Sequence, residues 1–445
     1  MTTASATSPT KFDAVVIGAG PAGSAVAILL ARAGWAVALV EKQVFPRRKV
    51  CGECIAASNW PLLNALGVST EQAGEPLHHM MLMRGRDSVT AEMPAADHRI
   101  HAWGRALGRE TLDTLLVAQA RAVGVQVFQP CSVREVNGGA GNWTISIRPA
   151  QGAIELKLEA CVAIAAHGSW EALPAARAHW RRPHRPNELF AFKANFLNAA
   201  LAPGVLAILA FKGGYGGIVV AGEGVTTLAC CIRRDALDAF RAQWPKLRAG
   251  DAVQALLTQS CAGVHHALRG AVRAGAWLGA GPIAPGIHMQ AFDGMFRVGN
   301  AAGEAHPIIG EGMSMALQSA WLLSGELLGL KGSVQVAPVH TPSAETQALM
   351  ARRYAKQWRR EFAPRMRLAA LFAHVAMRPA LSQVLLSMAH ARPGLLTWGA
   401  RFGGKARCAA DAAYIDAVLR TPLQQLPPKR LNALNPSSAL RFNCD

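Results

Sequence analysis

Gly18, Gly20 and Gly23 stand at G-x-G-x-x-G spacing, and a carboxylate, Glu41, follows about 20 residues later. Together these residues can hold a dinucleotide. The first glycine permits a tight turn, and the second lets backbone N–H groups approach a pyrophosphate. The third lets a helix lie close on a strand. Pro21 and Ala22 fill the turn between them. The helix opening there brings partial positive charge to where phosphates sit, and Glu41 is placed to accept hydrogen bonds from an adenosine ribose.

A second run, Gly299-Asn300-Ala301-Ala302-Gly303-Glu304-Ala305-His306-Pro307-Ile308-Ile309-Gly310-Glu311-Gly312-Met313-Ser314, carries the strongest functional signal. A strand ends at a polar side chain, a loop with proline and two glycines follows, and a helix begins. Such a helix aims its positive end at something anionic. Glu311 reads as an acid answering that helix dipole. Cys51-Gly52-Glu53-Cys54 is formally a C-x-x-C dithiol. Zinc would need a second ligand pair at suitable spacing, which the sequence lacks, so no metal is expected. Lys49 and Arg48 beside Cys51 could lower its thiol pKa, but Cys51 reads first as a residue packed within a basic loop.

These groups need elements to position them. The apolar run 14–17 reads as a buried strand, an Ala/Leu-rich helix extends to Arg32, and a strand over 36–40 closes at Glu41. A basic loop over 42–60 leads into a helix near 59–66. Strands over 78–83 and 88–93 flank the turn Gly85-Arg86-Asp87. Leu112, Leu115, Leu116 and Val117 recur at helical spacing within 109–123, with Gly124 as C-cap. Strands follow over 125–128, 133–136, 143–148, 154–158 and 161–165. The Pro/Arg-rich stretch 171–186 reads as a crossover into a second domain. There, strands over 190–196, 205–211, 217–220 and 226–232 precede helices over 236–247, 252–261 and 264–268, an order that fits a mostly antiparallel sheet with flanking helices. The chain returns to the first domain near 296–300, and a long helix runs over 313–328. Residues 331–344 read as a linker. The basic tail that follows is placed on helices.

The 445 residues suffice for two or three domains with a substantial core. No uninterrupted apolar run is long enough for a membrane span, and the polar leader 1–10 does not read as a signal peptide, so a cytoplasmic location is expected. The net charge is +18, from 46 Lys+Arg against 28 Asp+Glu. The arginines are scattered rather than interleaved with aromatics, which argues against nucleic acid. An acidic substrate, a carrier-protein partner or, through the basic tail, a peripheral membrane contact remain open.

From these motifs, roughly residues 12–330 resemble the FAD-dependent monooxygenase superfamily of the aromatic hydroxylase type, which includes geranylgeranyl reductases and flavin-dependent halogenases. The glycine fingerprint with Glu41 comes first. Arg109-x-x-Leu112-Asp113-x-x-Leu116 looks like the family helix whose arginine contacts FAD. Gly299-Asn300 with Pro307, Gly310 and Gly312 is similar to the family's Gly-Asp motif and its P-x-x-G-x-G extension. Lys49-x-Cys51-Gly52 looks like the geranylgeranyl reductase branch. The resemblance implies an α/β fold: a Rossmann-like FAD-binding domain (1–75, 105–170 and 281–330), an inserted, mostly antiparallel β-sheet substrate domain (76–104 and 171–280) and a helical C-terminal region (331–445).

The resemblance also implies the chemistry. FAD would be contacted by Gly18, Gly20, Pro21, Ala22, Gly23, Glu41, Lys42, Arg48, Cys51, Arg109, Val133, Asn300, Pro307, Gly310, Gly312 and Met313. Pro307 and Gly310 would lie at the reacting flavin face. NADH or NADPH is the implied electron donor, directly or through a partner reductase. The implied reaction is hydroxylation of an aromatic or polyketide-derived small molecule, as in secondary metabolism, through a flavin C4a-hydroperoxide. A reductase acting on a lipid alkene and a flavin-binding subunit without turnover are the alternatives. A halogenase is disfavoured because no two of the 11 tryptophans lie two apart, so the Trp-x-Trp-x-Ile-Pro signature is absent. Two positions depart from the family. Asn300 replaces the aspartate that meets the ribityl hydroxyls, and His167-Gly168 stands where the family has Asp-Gly, which puts direct reduction by NAD(P)H in question. Tyr215, in a run of glycines, reads as a substrate-facing aromatic or a turn anchor. His306 reads as a substrate contact or a structural histidine.

Overall fold

The computed structural model describes residues 10–69, 71–97, 100–152, 154–169, 185–289, 292–329 and 341–405. The proposed crossover over 171–186 and the linker over 331–344 lie largely outside them. Among the described residues the helices are α1 (Pro21–Arg32), α2 (Trp60–Ala65), α3 (Arg109–Ala122), α4 (Arg234–Gln243), α5 (Ala249–Ser260), α6 (Ala262–Ala267), α7 (Gly312–Leu327), α8 (Ala344–Ala376), α9 (Pro379–Ala391) and α10 (Gly394–Ala400). The fold is mixed α/β and is built around two large sheets.

The first sheet runs in the order Gln126–Phe128, Val37–Val40, Thr10–Ile17, Leu156–Ala165, Asn142–Pro149, Cys131–Gly139, with Phe296–Arg297 added beside Leu156–Ala165. The central pairings are parallel. Ile17 lies level with Val40 on one side and Ala165 on the other, so the three strands end together. Ligands of open parallel sheets bind at such a carboxyl edge. Gly18 leaves this edge at φ +106, a conformation that L side chains rarely adopt. Val15, Ile17, Ala163 and Ala165 bury one face of the sheet. Val16, Ile164 and the helices α1, α3 and α7 form the other. Ala25, Ala27, Ile28 and Leu29 on α1 are almost wholly buried because small residues let α7 approach closely.

The second sheet is mostly antiparallel and follows the order Val272–Arg273, Leu189–Leu197, Thr226–Arg233, Gly214–Val220, Val205–Phe211, His79–Arg84, Asp87–Glu92. Its strands alternate strictly. Ala194, Phe196, Ala207, Leu209, Ile218, Leu228, Cys230 and Ile232 face α4, α5 and α6 in a core of their own. The residues between them, including Lys193, Ile208, Tyr215, Gly217, Ala229 and Cys231, turn to the opposite side. The expected strand over 217–220 starts earlier, at Gly214, so Tyr215 sits within a strand and not in a turn. Glycines at 214, 216 and 217 hid that strand from a reading by propensity. The four strand pieces expected after Phe128 likewise become three long strands, because 133–136 extends to Cys131–Gly139 and 154–158 with 161–165 form the continuous Leu156–Ala165.

The C-terminal helices close the molecule. Trp358 and Phe362 on α8 are fully buried, 5.1 Å apart between ring centroids. A Cβ on Gly303 would approach the Trp358 ring to 2.5 Å, so glycine there lets the indole in. Replacing Trp358 by Ala leaves a large void at this junction. Unfolding in urea, monitored by circular dichroism, is expected to show a loss of about 3–5 kcal/mol.

Candidate active site

The glycine turn is set by backbone sterics and by Glu41. A Cβ at Gly23 would fall 1.9 Å from the Gly18 carbonyl, and one at Gly18 would fall 2.5 Å from that of Ala166. Only glycines let strand, turn and helix meet here. The nearly buried Glu41 accepts from the Ala19 N–H at 2.9 Å and, through its other oxygen, from the Gln43 N–H at 2.9 Å. It therefore pins the turn while retaining lone pairs for hydroxyl donors. Pro21 starts α1 where a missing N–H costs nothing.

Arg109 opens α3 and is buried. Asp113, one turn later, receives its guanidinium bidentately at 2.8 and 2.7 Å. Burial works against the charge, but Asp113 and the Cys51 sulfur outweigh it and hold the Arg109 pKa above its usual value. A Cβ on Gly20 would lie 3.7 Å from Arg109 Nη2, so this cation stands directly over the turn.

Beyond these groups lies a cavity of about 220 Å³. Gly20, Pro21, Ala22, Cys51 and Arg109 line it from the first turn. Asn300, Pro307, Gly312 and Met313 line it from the second run, and Tyr215, Gly217, Ala229 and Cys231 from the antiparallel sheet. The structure thus brings the two remote glycine motifs to one space. Of the other residues singled out from sequence, Gly18, Gly23 and Glu41 shape the turn behind the cavity. Gly310, at φ +63, ends the Pro307–Ile309 turn. Lys42 is exposed. Arg48 reaches away to the Ala276 carbonyl at 3.3 Å and to Glu110 at 3.9 Å. Val133 lies opposite Ile147 in the first sheet and does not line the cavity.

The residues present fit a planar dinucleotide cofactor. Gly52 and Gly312 both line the space, and a Cβ added to either would meet no atom within 4 Å. Room for a ring therefore exists next to bare backbone. The Glu311 side chain does not cap α7; it is buried and pairs with Arg365 at 3.6 Å. The α7 N-terminus consequently keeps its N–H groups available. Asn300 Nδ2 donates to Ser169 Oγ at 2.7 Å, and Ser169 Oγ donates to Glu304 at 2.9 Å. Burial raises the Glu304 pKa.

Tyr215 is buried and hydrogen-bonds His306 Nδ1 at 3.1 Å. Burial lowers the His306 pKa and raises that of Tyr215. Both shifts favour a neutral phenol beside a neutral imidazole. Burial also drives the Cys231 thiol of this wall up to about 12.

One cluster is missed entirely by the sequence reading. Glu53, at φ +57, is buried, and one of its oxygens accepts from the Arg109 N–H at 2.9 Å and from Lys193 Nζ. The other accepts from Thr227 Oγ1 at 2.6 Å. The only available signal was Lys193 itself, a charge inside the apolar strand Phe190-Ala191-Phe192-Lys193-Ala194-Asn195-Phe196. Lys49 was also passed over as a site residue; it lines the cavity, with its Nζ near Gly168.

Comparison with known proteins agrees with this geometry. Residues 11–201 match the FAD binding domain family. Conditioned medium factor receptor 1 of Dictyostelium discoideum is 32% identical over 30% of this chain and 29% of its own length. Menaquinone reductase of Mycolicibacterium smegmatis is 34% identical over 28% of this chain and 31% of its own. Tryptophan 2-halogenase of Chondromyces crocatus is 32% identical over 34% and 29%. The matches therefore span about a third or less of these relatives. Among solved structures, the myxobacterial chondrochloren halogenase CndH aligns with a TM-score of 0.69 at 20% identity, over 92% of this chain and 96% of that one. A geranylgeranyl bacteriochlorophyll reductase-like protein from Thermoplasma acidophilum aligns at 0.64 and 17% identity, over 95% and 98%. The match to the FAD binding domain family covers less than half of the chain, and the fold as a whole is the one these two solved structures share. Among the described residues no single helix is long and apolar enough to cross a membrane, although α8 and α9, bent by 105°, pass such a test as a pair.

Glu53 and Lys193 are both shielded from water, so removing one partner leaves a buried charge. Lys193→Met is expected to cost about 3–5 kcal/mol in chemical denaturation. Adding Glu53→Gln to it should restore part of that loss, which a mere packing defect at position 193 would not allow.

Proposed function

We propose that this protein is an FAD-dependent oxidoreductase, and specifically a monooxygenase that hydroxylates an apolar aromatic or polyketide-derived molecule. The observation carrying this reading is one cavity walled by both glycine motifs on one side and by an apolar sheet face on the other. Bound flavin supplies the oxygen chemistry. The chain's own groups bind and orient: Glu41 meets the ribose, Arg109 and the α1 N-terminus face the phosphates, and Asn300 meets the ribityl hydroxyls. The open α7 N-terminus, at Gly312 and Met313, supplies N–H groups where negative charge gathers on the ring. Gly217, Ala229 and Cys231 roof the space without filling it and keep water out. Tyr215 hydrogen-bonds the substrate while its hydrogen bond to the neutral His306 orients the phenol.

Reducing equivalents come from NADH or NADPH. The His167-Gly168 pair, standing where relatives of the resembled family have Asp-Gly, supports delivery through a partner reductase. A reductive reaction is the second reading, and the presence of Lys49 and Cys51 in the cavity wall favours it.

Anaerobic addition of NADH or NADPH, with and without a flavin reductase, to the yellow protein is expected to bleach its visible absorbance. Air should restore the colour with oxygen consumed in step with hydroxylated product. Turnover that needs no oxygen would shift the assignment to the reductive reading, and a product carrying halide would shift it to halogenation. No bleaching under any of these conditions would overturn catalysis altogether. A second expectation concerns pH. Because His306 titrates below its ordinary value of 6.5, its neutral form prevails at pH 7 and is lost as pH falls further. Turnover should show an acid limb below pH 6.5. Tyr215→Phe should abolish that limb and slow turnover about tenfold to a hundredfold.

A further inference from the structure

Next to the flavin-side cavity lies a second one, of about 130 Å³, between the antiparallel sheet and the C-terminal helices. Its floor is Met80 and Leu82 with their register partners Leu206 and Ile208. Its roof is Phe372 and Ala376 of α8, Leu385 of α9, and Leu396 and Ala400 of α10. Among the described residues no titratable side chain lines it. Leu206, Ile208 and Ile308 border both cavities, so the two spaces meet along one apolar seam. The turn Pro307–Ile309 spans the junction: Pro307 faces the first cavity, Ile309 the second, and Ile308 both.

We propose that this second compartment receives an apolar arm of the substrate, and that the substrate class is accordingly a two-part molecule. A reactive ring sits in the first cavity and an alkyl or aryl extension of about six carbons enters the second. The size follows from volume, because an apolar cavity of about 150 Å³ stays dry and accepts a benzene molecule. The energetics favour such an occupant over water. Ser382, a polar side chain in the lining, already accepts from Arg84 Nε at 2.8 Å and donates to the Arg378 carbonyl at 2.9 Å, which leaves water little to bind, whereas each methylene moved into the compartment tightens binding about fourfold. This inference rests on reading the first cavity as the flavin and substrate site.

The test uses the flavin-loaded full-length protein and a series of probes: phenol and its 4-ethyl, 4-butyl, 4-hexyl and 4-octyl derivatives. Binding is followed by perturbation of the flavin visible spectrum and by calorimetry. Affinity should rise about fourfold per methylene as far as the hexyl derivative and then level off. Ala400→Phe, which fills the second compartment without touching the first, should weaken 4-hexylphenol at least tenfold and leave phenol unchanged. Leu396→Ala, which enlarges the compartment, should move the plateau towards the octyl derivative and keeps the test alive should Ala400→Phe fail to fold. Affinity indifferent to chain length, or a gain that persists undiminished in Ala400→Phe, would overturn the proposal while leaving the flavin assignment intact. A protein that retains no FAD would instead sink the assignment on which the proposal stands.

Discussion

The carboxylate of Glu53 is the joint on which this architecture turns. It reaches from the loop after Cys51 to the backbone of α3 on one side, and to Lys193 and Thr227 of the antiparallel sheet on the other. Taking two charges out of water costs several kcal/mol per ion, which is recovered only where every lone pair and proton finds a partner. Here Glu53 meets the Arg109 N–H, Lys193 Nζ and Thr227 Oγ1, donors from three separate segments. The pair therefore acts less as a source of stability than as a register, fixing how far the second sheet stands from the nucleotide-binding edge. The left-handed backbone at Glu53, unusual for a residue with a side chain, is held by the same set of bonds. Because the Arg109 backbone N–H donates one of them, the residue whose cation stands over the glycine turn and the sheet above it share one anchor.

Much of this was legible in the chain before any coordinates. The strand, turn and helix around Gly18 follow from residue types with a single steric solution, and the structure shows why, with side chains forbidden at Gly18 and Gly23. The run from Gly299 to Gly312 was equally readable as a strand end feeding a helix. That the two would share one cavity came from resemblance and not from spacing, because nothing local in either stretch points to the other. The buried ion pair was not legible for a related reason. Glu53 and Lys193 are 140 positions apart, and each looks like an ordinary charge until topology brings them together. Tyr215 shows a third kind of failure. Glycine is a poor strand former by propensity, yet in Gly214–Val220 the neighbouring ladders supply both sets of backbone partners and override it.

The missing side chains at Gly216 and Gly217 serve the site as well as the strand. At Gly216 a Cβ would sit 2.7 Å from the Ala229 carbonyl, so the sheet itself forbids one. At Gly217 a Cβ would crowd the Ala207 carbonyl at 3.1 Å, and its bareness leaves the sheet surface hollow between Ile208 and Ala229. A flat sheet face thus becomes the concave lid of a chamber whose other wall is backbone. Shape is obtained here by omission, which suits a large planar occupant better than a ring of large side chains would.

The thiols in that lid carry a chemical consequence of their own. Sulfur is attacked by oxidants as the thiolate, and susceptibility follows ionisation and exposure. Cys231, the thiol on the cavity side of the sheet, is buried, and burial pushes its pKa up to about 12. Held protonated and shielded, the Cys231 thiol is a poor target for oxidants, so the inertness of this part of the lining is set by the same exclusion of water that shapes the space.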